Sequence, residues 1–256
     1  MAIIVKSAAE IATMRAAGRI NALALEAVAR AVRPGITTLE LDAIAADVIR
    51  THGGRPAFLG YPNRSFPDFP YPATINASID GELVHGIPGN RRLAEGQILS
   101  IDCGTIWKGY VGDSAVTLPV GCVSAAAEGL IAVTREALHV AIAACRPGKR
   151  FGDVSATIQE YVESRGYQVV REYTGHGVGR DMHEDPLIPN WGTRNRGARL
   201  KSGMTFALEP MVTIGPPELY VGSDRWTVAT VDGGLSAHFE HTIAVTDGEP
   251  QILTLP

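Results

Sequence analysis

"RPGITTLELDAIAADVIRTHGG", residues 33–54, returns in the second half of the chain as "RPGKRFGDVSATIQEYVESRGY", residues 146–167. An alanine-rich segment precedes each copy, and a glycine, Gly53 or Gly166, closes it. The matching apolar positions are Leu41, Ala43 and Ile49 in the first copy and Val154, Ala156 and Val162 in the second. Self-similarity of this kind predicts a duplicated fold.

Two capping boxes mark the expected helix starts in the first half. Ser7 and Glu10 form one S-x-x-E box, and Thr37 and Glu40 form the other. Apolar residues with helical spacing follow the first box as far as the Pro-Gly pair at 34–35. The second box opens a helix that we expect to end at the following glycine pair.

The second halves of the two repeats also match. "RRLAEGQILSID" ends at Asp102 and "ARLKSGMTFALE" ends at Glu209. Each is followed by a second predicted strand with an acid of its own, "YVGDSAVTLPV" with Asp113 and "SAHFEHTIAVT" with Glu240. We therefore expect an α+β fold of two helix–helix–hairpin units. The hairpins are predicted to form one curved antiparallel sheet that the helices cover.

Length and composition narrow the class of protein. The 256 residues fit one domain, residues 1–256, with pseudo-repeats at about 7–120 and 121–250. A formal net charge of −4 gives no reason to expect nucleic-acid binding. The start lacks a signal-peptide pattern and no apolar run could span a bilayer, so we expect a cytoplasmic protein without membrane contact. Three cysteines without CxxC spacing predict reduced, mostly buried thiols.

Four acids occupy matched places in the predicted strands: Asp102 and Asp113 in the first half, Glu209 and Glu240 in the second. Duplication would gather them near the pseudo-twofold axis. Buried carboxylates a few ångströms apart cannot all be ionised without a cation, so they either share protons or hold metal. Any one of them alone is more simply an exposed strand-end residue. The matched set favours a metal site.

The stretch "YTGHGVGRDMHEDP", residues 173–186, supplies the histidine that such a site often includes. We predict that His176 is a metal ligand, because imidazole suits first-row transition metals and the flanking glycines allow close approach of the chain. His183 is a candidate for contact with substrate. A lone histidine in a loop is more often structural, and this alternative applies to His183 and to His85 in "LVHGIPG".

Several motifs together resemble the type I methionine aminopeptidases, which have the pita-bread metallopeptidase fold. In chain order they are "HGIPG", "SIDCGTIWKGYVGDSA", "REYTGHGVGRDMHEDP", "GMTFALEPMV" and "SAHFEHTIAVT". The match runs from about Ser7 to the C-terminus, and the family's fold is itself duplicated. The resemblance implies one catalytic domain that removes the initiator methionine from nascent proteins and peptides with a small second residue.

The resemblance also implies the cofactor, two divalent metal ions (cobalt, manganese, iron or zinc). The implied ligands are Asp102, Asp113, His176, Glu209 and Glu240. Asp113 and Glu240 would bridge the two ions. Paired metals of this kind activate water and polarise the carbonyl under attack. Glu209 is then the expected catalytic residue that moves a proton to the leaving amine.

Substrate contacts follow from the same resemblance. His85 is expected near the amino terminus of the substrate, and His183 beside the scissile carbonyl, where its hydrogen bond would strengthen in the transition state. Trp226 resembles the indole at the pocket entrance, and Tyr61 resembles an aromatic wall of the methionine pocket. Without the resemblance, both aromatic residues would be interpreted as ordinary packing residues.

The methionine pocket departs from the family pattern. Relatives commonly carry two cysteines there, whereas this chain has Phe58 and Pro72 at the positions we align, and Met182 where many relatives carry phenylalanine. We expect Phe58 and Met182 to contact substrate in a reshaped pocket. The segment 62–72 is longer than usual and rich in proline and aromatic residues. Our hypothesis is that it forms part of the pocket rim.

Other functions fit part of the pattern. A proline-specific aminopeptidase shares the fold, but such relatives typically carry an additional N-terminal domain. A non-catalytic peptide-binding relative would be expected to lose metal ligands, and a metal-storage protein would not need His85 and His183. As partners we expect nascent polypeptide N-termini, with transient ribosome contact, and as oligomeric state a monomer.

Overall fold

Two helices precede the main strands in each half of the computed structural model, which describes residues 3–256. The helices are α1 (Ala8–Ala31), α2 (Thr38–Thr51), α3 (Ala125–Ala144) and α4 (Phe151–Glu163). The strands are β1 (Arg55–Pro56), β2 (Ile75–Ile79), β3 (Glu82–Val84), β4 (Ile98–Trp107), β5 (Tyr110–Pro119), β6 (Gln168–Val169), β7 (Thr174–Gly177), β8 (Glu184–Pro189), β9 (Thr205–Leu208), β10 (Met211–Thr213), β11 (Leu219–Val221), β12 (Val228–Thr230), β13 (Ser236–His238), β14 (Glu240–Ala244) and β15 (Gln251–Ile252).

Both predicted capping boxes are present. The side chains of Ser7 and Thr37 accept hydrogen bonds from the backbone amides of Glu10 and Glu40, and the two glutamates accept from the cap amides in return. A cap of this kind typically stabilises a helix by about 1 kcal/mol. The first helix ends at Ala31, just before the Pro-Gly pair that predicts its end.

One nine-stranded antiparallel sheet joins the two halves of the chain. Its path is β1-β4-β5-β14-β9-β7-β8, with β2 beside β4 and β15 beside β14. The halves meet where β5 pairs with β14, and Ala115 lies opposite Glu240 at this junction. The predicted α+β architecture with a shared antiparallel sheet is therefore confirmed.

The helices pack on one face of this sheet and form two apolar cores. Leu41 and Ile49 of α2 are fully buried in the core of the first half, and Val154 and Val162 of α4 are fully buried in that of the second. The matched positions of the repeat therefore have the same role in packing. Ala43 differs, because it is exposed whereas its counterpart in α4 is buried.

The two hairpins differ in how their strands are connected. Lys108 and Gly109 join β4 to β5 in a two-residue turn with φ values of 48° and 75°, as tight hairpins require. In the second half β9 pairs with β14, but residues 209–239 lie between them and include β10 to β13. The strand predicted over "SAHFEHTIAVT" is wrong as one element. It divides at Phe239 into β13, which pairs with β10 in a separate sheet, and β14.

Two expectations from composition are tested by the structure. The prediction of mostly buried thiols is confirmed, since Cys103 and Cys145 are buried and Cys122 is exposed. Within residues 3–256, no helix combines the length and the apolar character needed to cross a membrane.

Helix α1 crosses β5 at a contact that requires glycine. A Cβ atom added to Gly112 would lie 2.5 Å from the Cα atom of Gly18. Carbon atoms in ordinary contact are about 3.5–4.0 Å apart. The two backbones therefore approach directly here, which holds α1 against the strand that carries Asp113.

We predict that Gly112→Ala lowers the free energy of unfolding by about 1–3 kcal/mol, because an extra methyl group overpacks this contact. The measurement is the urea midpoint of both proteins in the same metal-loaded state. Gly248→Ala is the control, since its added Cβ would meet no atom closer than 4.0 Å. An unchanged midpoint for Gly112→Ala would show that the backbones can separate at no cost.

Candidate metal centre

The pairing register puts three of the predicted metal ligands on one face of the sheet. Side chains alternate between faces along a strand, and residues opposite each other on neighbouring strands share a face. Asp102 of β4 and Glu240 of β14 both lie opposite Ala115 of β5. Asp113 is two residues from Ala115 on the same strand. These three acids therefore point to the same side.

His176 and Glu209 join them from the second half. His176 of β7 and Thr242 of β14 both lie opposite Ala207 of β9. Thr242 is two residues from Glu240, and Glu209 is two residues from Ala207. Four neighbouring strands, β4, β5, β14 and β7, thus each carry one predicted ligand on the face away from the helices, and Glu209 directly follows a fifth, β9.

Three of these side chains have the spacing of a metal site. Ligand atoms of Asp113, His176 and Glu240 all lie within 4.8 Å of one another, and the three residues are buried. Nε2 of His176 is 3.7 Å from Oδ2 of Asp113 and 3.6 Å from Oε1 of Glu209. These separations are longer than a hydrogen bond and suit groups that share a cation.

The imidazole of His176 is oriented as a metal ligand. Its Nδ1 lies 3.0 Å from the carbonyl oxygen of Gly177. Donation from Nδ1–H to that carbonyl leaves the lone pair of Nε2 facing the carboxylates. Burial lowers the pKa of His176 to about 3, so the ring is neutral at neutral pH. The neutral ring carries no positive charge that could balance the carboxylates, and a bound cation would supply that charge.

Without a cation, the acids of the cluster retain protons. Burial, followed by the charge of neighbouring carboxylates, raises the pKa of Asp102, Glu209 and Glu240 well above the ordinary range. Burial also raises the pKa of Asp113 to about 7. Within residues 3–256, one buried oxygen of each of Asp102, Asp113 and Glu240 has no hydrogen-bond partner. Unsatisfied buried carboxylate oxygens beside an imidazole nitrogen fit a divalent cation.

His238 is a residue of this site that the motifs did not single out. Its side chain is buried, and its Nε2 lies 3.5 Å from Oε2 of Glu209 and 3.9 Å from Oε2 of Glu240. In the described part of the chain, neither of its ring nitrogens has a hydrogen-bond partner. Burial lowers the pKa of His238 to about 3. The one signal in the sequence was its position two residues before Glu240.

The predicted metal ligands and substrate-binding residues line one cavity of about 400 Å³. Its lining consists of Phe58, Tyr61, Tyr71, Asn76, His85, Asp102, Asp113, Glu172, Tyr173, Thr174, His176, Met182, His183, Leu187, Glu209, Trp226 and Glu240. Every residue predicted to bind metal or substrate is in this set. The structure therefore brings together side chains that lie as far apart as residues 58 and 240 in the sequence.

Specific contacts hold the predicted substrate-binding residues. Nδ1 of His183 lies 2.6 Å from the hydroxyl oxygen of Tyr61, and the His183 and His176 rings have centroids 4.2 Å apart. His85 packs edge-on against Trp226, with ring centroids 6.0 Å apart. Its φ of 61° lies in the left-handed region. Residues held in that region are often found at functional sites.

Segment 62–72 contacts the loop that carries Trp226. The indole Nε1 of Trp226 donates a hydrogen bond to the carbonyl of Phe69 at 2.9 Å. The buried amide of Asn63 donates to the carbonyl of Arg225, also at 2.9 Å. The Arg225 guanidinium lies 3.7 Å from the centre of the Phe69 ring. The segment therefore supports the Trp226 side of the cavity.

The residue of this segment that lines the cavity is Tyr71 and not Pro72. Pro72 was expected in the methionine pocket, but it is exposed and absent from the lining. Tyr71 is buried, its hydroxyl lies 2.9 Å from the carbonyl oxygen of Gly86, and its ring centroid is 5.1 Å from that of Trp226. A shift of one residue in an irregular segment is enough to turn a side chain away from a pocket.

Known proteins match the chain over almost its entire length. Residues 12–247 match the profile of metallopeptidase family M24. The chain is 48% identical over 252 residues to methionine aminopeptidase 1 of Bacillus subtilis, which covers 98% of this chain and 99% of that protein. The crystal structure of methionine aminopeptidase from Thermotoga maritima superposes with a TM-score of 0.96 at 43% identity, over 100% of both chains.

A more distant solved structure shares the fold. The prolidase from Pyrococcus furiosus superposes with a TM-score of 0.79 at 21% identity, and the match covers 99% of this chain but 66% of that one. Similarity at this level concerns the fold alone, and with the Thermotoga structure it confirms the predicted pita-bread fold. The chain belongs to metallopeptidase family M24 and, within it, to the methionine aminopeptidases.

Proposed function

We propose that this metallo-aminopeptidase uses two divalent cations to remove the initiator methionine from nascent proteins and peptides with a small second residue. The observation that carries the proposal is the convergence of four acids and His176 on one cavity that also has an apolar wall. The substrate class is supported by the relatives named methionine aminopeptidase.

The cation ligands in this proposal are Asp102, Asp113, His176, Glu209 and Glu240. Asp113 and Glu240 lie on the adjacent strands β5 and β14, between Asp102 on one side and Glu209 and His176 on the other, and would hold the cations together with those residues. The mixed oxygen and nitrogen donors suit manganese, iron, cobalt or zinc better than magnesium or calcium. When bound, the cations supply Lewis-acid polarisation of the scissile carbonyl and lower the pKa of water.

Glu209 is the proposed acid–base. Its carboxylate borders the cavity and lies between the imidazoles of His176 and His238, at 3.6 and 3.5 Å. It accepts a proton from the attacking water and delivers it to the leaving amine. His183 donates a hydrogen bond to the scissile carbonyl oxygen, which strengthens as negative charge develops there. His85 contacts the substrate near its amino terminus.

Phe58, Tyr61, Met182 and Trp226 form the proposed methionine pocket. Phe58 and Met182 pack together over Gly104, where an added Cβ atom would lie 2.6 Å from Cε of Met182 and 2.9 Å from Cε1 of Phe58. The absence of a side chain at Gly104 thus makes room for both. An unbranched thioether fits a wall of aromatic rings and a flexible methionine.

Four further properties of the enzyme are predicted from the sequence alone. They are a cytoplasmic location, transient ribosome contact, a monomeric state and a single catalytic domain of residues 1–256. The proline-specific alternative rests only on the shared fold, because the prolidase is 21% identical to this chain. The small-residue preference at the second position of the substrate is likewise an inference from family resemblance.

We predict that metal-stripped protein is inactive and regains activity when Mn²⁺, Co²⁺, Fe²⁺ or Zn²⁺ is added. The restored enzyme should release methionine from a Met-Ala peptide, while Met-Lys and Ala-Pro peptides remain intact, as measured by chromatography of the products. Asp113→Asn is the matched variant that should stay inactive with every metal. Cleavage of Ala-Pro would support the proline-specific alternative, and no cleavage with any metal would refute the aminopeptidase.

A second prediction concerns the pH dependence of stability in the metal-free protein. The buried histidines are neutral in the folded state, and in the unfolded state they lose their remaining protons just above pH 6.5, the ordinary pKa of histidine, which offsets only part of the effect of the carboxyl groups. The clustered carboxyl groups are ionised in the unfolded state at this pH but still hold protons in the folded state. The folded state therefore binds more protons, and stability falls as the pH rises.

The free energy of unfolding of the metal-free protein should fall by about 1.4 kcal/mol or more between pH 6.5 and 8, in denaturant titrations. A double variant, Asp113→Asn with Glu240→Gln, removes two of the titrating groups and should show a smaller fall. Saturating Mn²⁺ should abolish the fall in the unmodified protein. Stability that stays constant or rises over this interval would mean that the carboxyl groups are already ionised.

A third prediction tests segment 62–72 as a pocket rim. Asn63→Ala removes a buried amide whose Oδ1 accepts from the amides of Ser65 and Phe66 at 3.0 Å and whose Nδ2 binds Arg225. We expect KM for a Met-Ala peptide to rise about three- to tenfold with kcat little changed. This is the effect of losing roughly 1 kcal/mol of binding energy that the substrate and the transition state share. Asp68→Ala, at an exposed position of the same segment, is the control. An unchanged KM would exclude the rim.

A further inference from the structure

The hydroxyl of Tyr61 makes a hydrogen bond that the proposed function does not use. It lies 2.6 Å from Nδ1 of His183, and the two ring centroids are 5.5 Å apart. The backbone on either side of this contact is fixed. The amide of Tyr61 donates to the carbonyl of Phe58 at 2.8 Å, and the carbonyl of Tyr61 accepts from the amide of Tyr71 at 2.9 Å. The hydroxyl is therefore held at a defined place beside the imidazole.

The direction of this hydrogen bond decides what His183 can do. A neutral imidazole carries one N–H, on either Nδ1 or Nε2. If the phenol donates to Nδ1, the proton of the ring is on Nε2, and Nε2 can donate to a substrate. If instead Nδ1–H donates to the phenol oxygen, Nε2 is only an acceptor and cannot stabilise a carbonyl oxygen.

Two observations favour donation by the phenol. Among the described residues, the Tyr61 hydroxyl has no hydrogen-bond partner other than His183, so no other protein acceptor competes for its proton. Burial, opposed by Arg64 and reinforced by Asp113 and Asp181, raises the pKa of Tyr61, so the phenol has a proton to donate. Donation to Nδ1 gives that proton a partner in the protein, whereas the reverse bond would leave it to solvent.

We propose that Tyr61 is a positioning residue whose hydroxyl holds His183 in the Nε2–H tautomer, ready to donate to the scissile carbonyl oxygen. This inference rests on the proposed function of His183. It gives the two parts of Tyr61 separate roles. The ring forms a wall of the methionine pocket, and the hydroxyl acts through His183 on the reacting end of the substrate.

The separation of roles predicts different effects on KM and kcat. Tyr61→Phe keeps the ring and removes the hydroxyl, so KM for a Met-Ala peptide should change less than about twofold. The loss of one aligned donor to a developing oxyanion costs about 10²–10³ in kcat. Removal of a group that only biases the tautomer should cost less, and we expect kcat to fall about tenfold. Tyr161→Phe on α4 is the matched control and should leave kcat unchanged.

Nitrogen NMR of the zinc-loaded enzyme tests the tautomer directly. Long-range ¹⁵N–¹H spectra distinguish the protonated from the unprotonated ring nitrogen, and His183→Gln identifies the His183 signals. We expect Nδ1 to be the unprotonated nitrogen in the unmodified enzyme and a mixture of both tautomers in Tyr61→Phe. A His183 ring protonated on Nδ1 in the unmodified enzyme, or spectra that Tyr61→Phe leaves unchanged, would overturn the proposal.

A double-variant cycle separates this proposal from the role of His183 itself. If Tyr61 acts through His183, Tyr61→Phe should have no further effect on kcat in a His183→Gln background. An equal tenfold loss in both backgrounds would overturn the positioning role while leaving His183 as a catalytic residue. Full activity of His183→Gln alone would instead refute the role of His183 in the proposed function.

Discussion

Removing several carboxyl groups from water at one place is costly, because each charge loses its hydration and repels the others. The structure holds the acids together on neighbouring strands, where they retain protons or share a cation. Asp102, Asp113 and Glu240 come from three adjacent strands, and Glu209 follows a fourth. The two larger apolar cores lie on the other face of the sheet, under the helices. Stability and metal binding are thereby assigned to opposite faces of the same strands.

Much of this arrangement could be predicted from the sequence, because its signals are local or repeated. Capping boxes predict the starts of α1 and α2, and the repeat predicts that Asp102 matches Glu209 in position. The features that could not be predicted depend on which distant strands and loops meet in the fold. The division of "SAHFEHTIAVT" at Phe239 and the approach of His238 to Glu209 are of this kind. In the irregular segment before β2, spacing could not decide between Tyr71 and Pro72, since no period fixes side-chain direction there.

The duplicated and the unique parts of the chain contribute different things to the site. The repeated strands supply four acids in equivalent pairs, as the proposed pair of cations requires. The unique parts, segment 62–72 and the residues 209–239 between β9 and β14, meet at Trp226 and Phe69 on one side of the cavity. The repeat therefore supplies the acids of the site, while the unique segments border one side of its cavity.

The wide separation of β9 and β14 has a consequence for biosynthesis. The chain is made from its N-terminus, and the first half can form its tight hairpin as soon as β5 has emerged. Glu240, the last of the proposed ligands along the chain, is made only after the other four. A truncated product that ends before β14 also lacks the strand that joins the two halves of the sheet. Chains that end before Glu240 therefore lack one proposed ligand, so the full proposed set forms only after β14 has been synthesised.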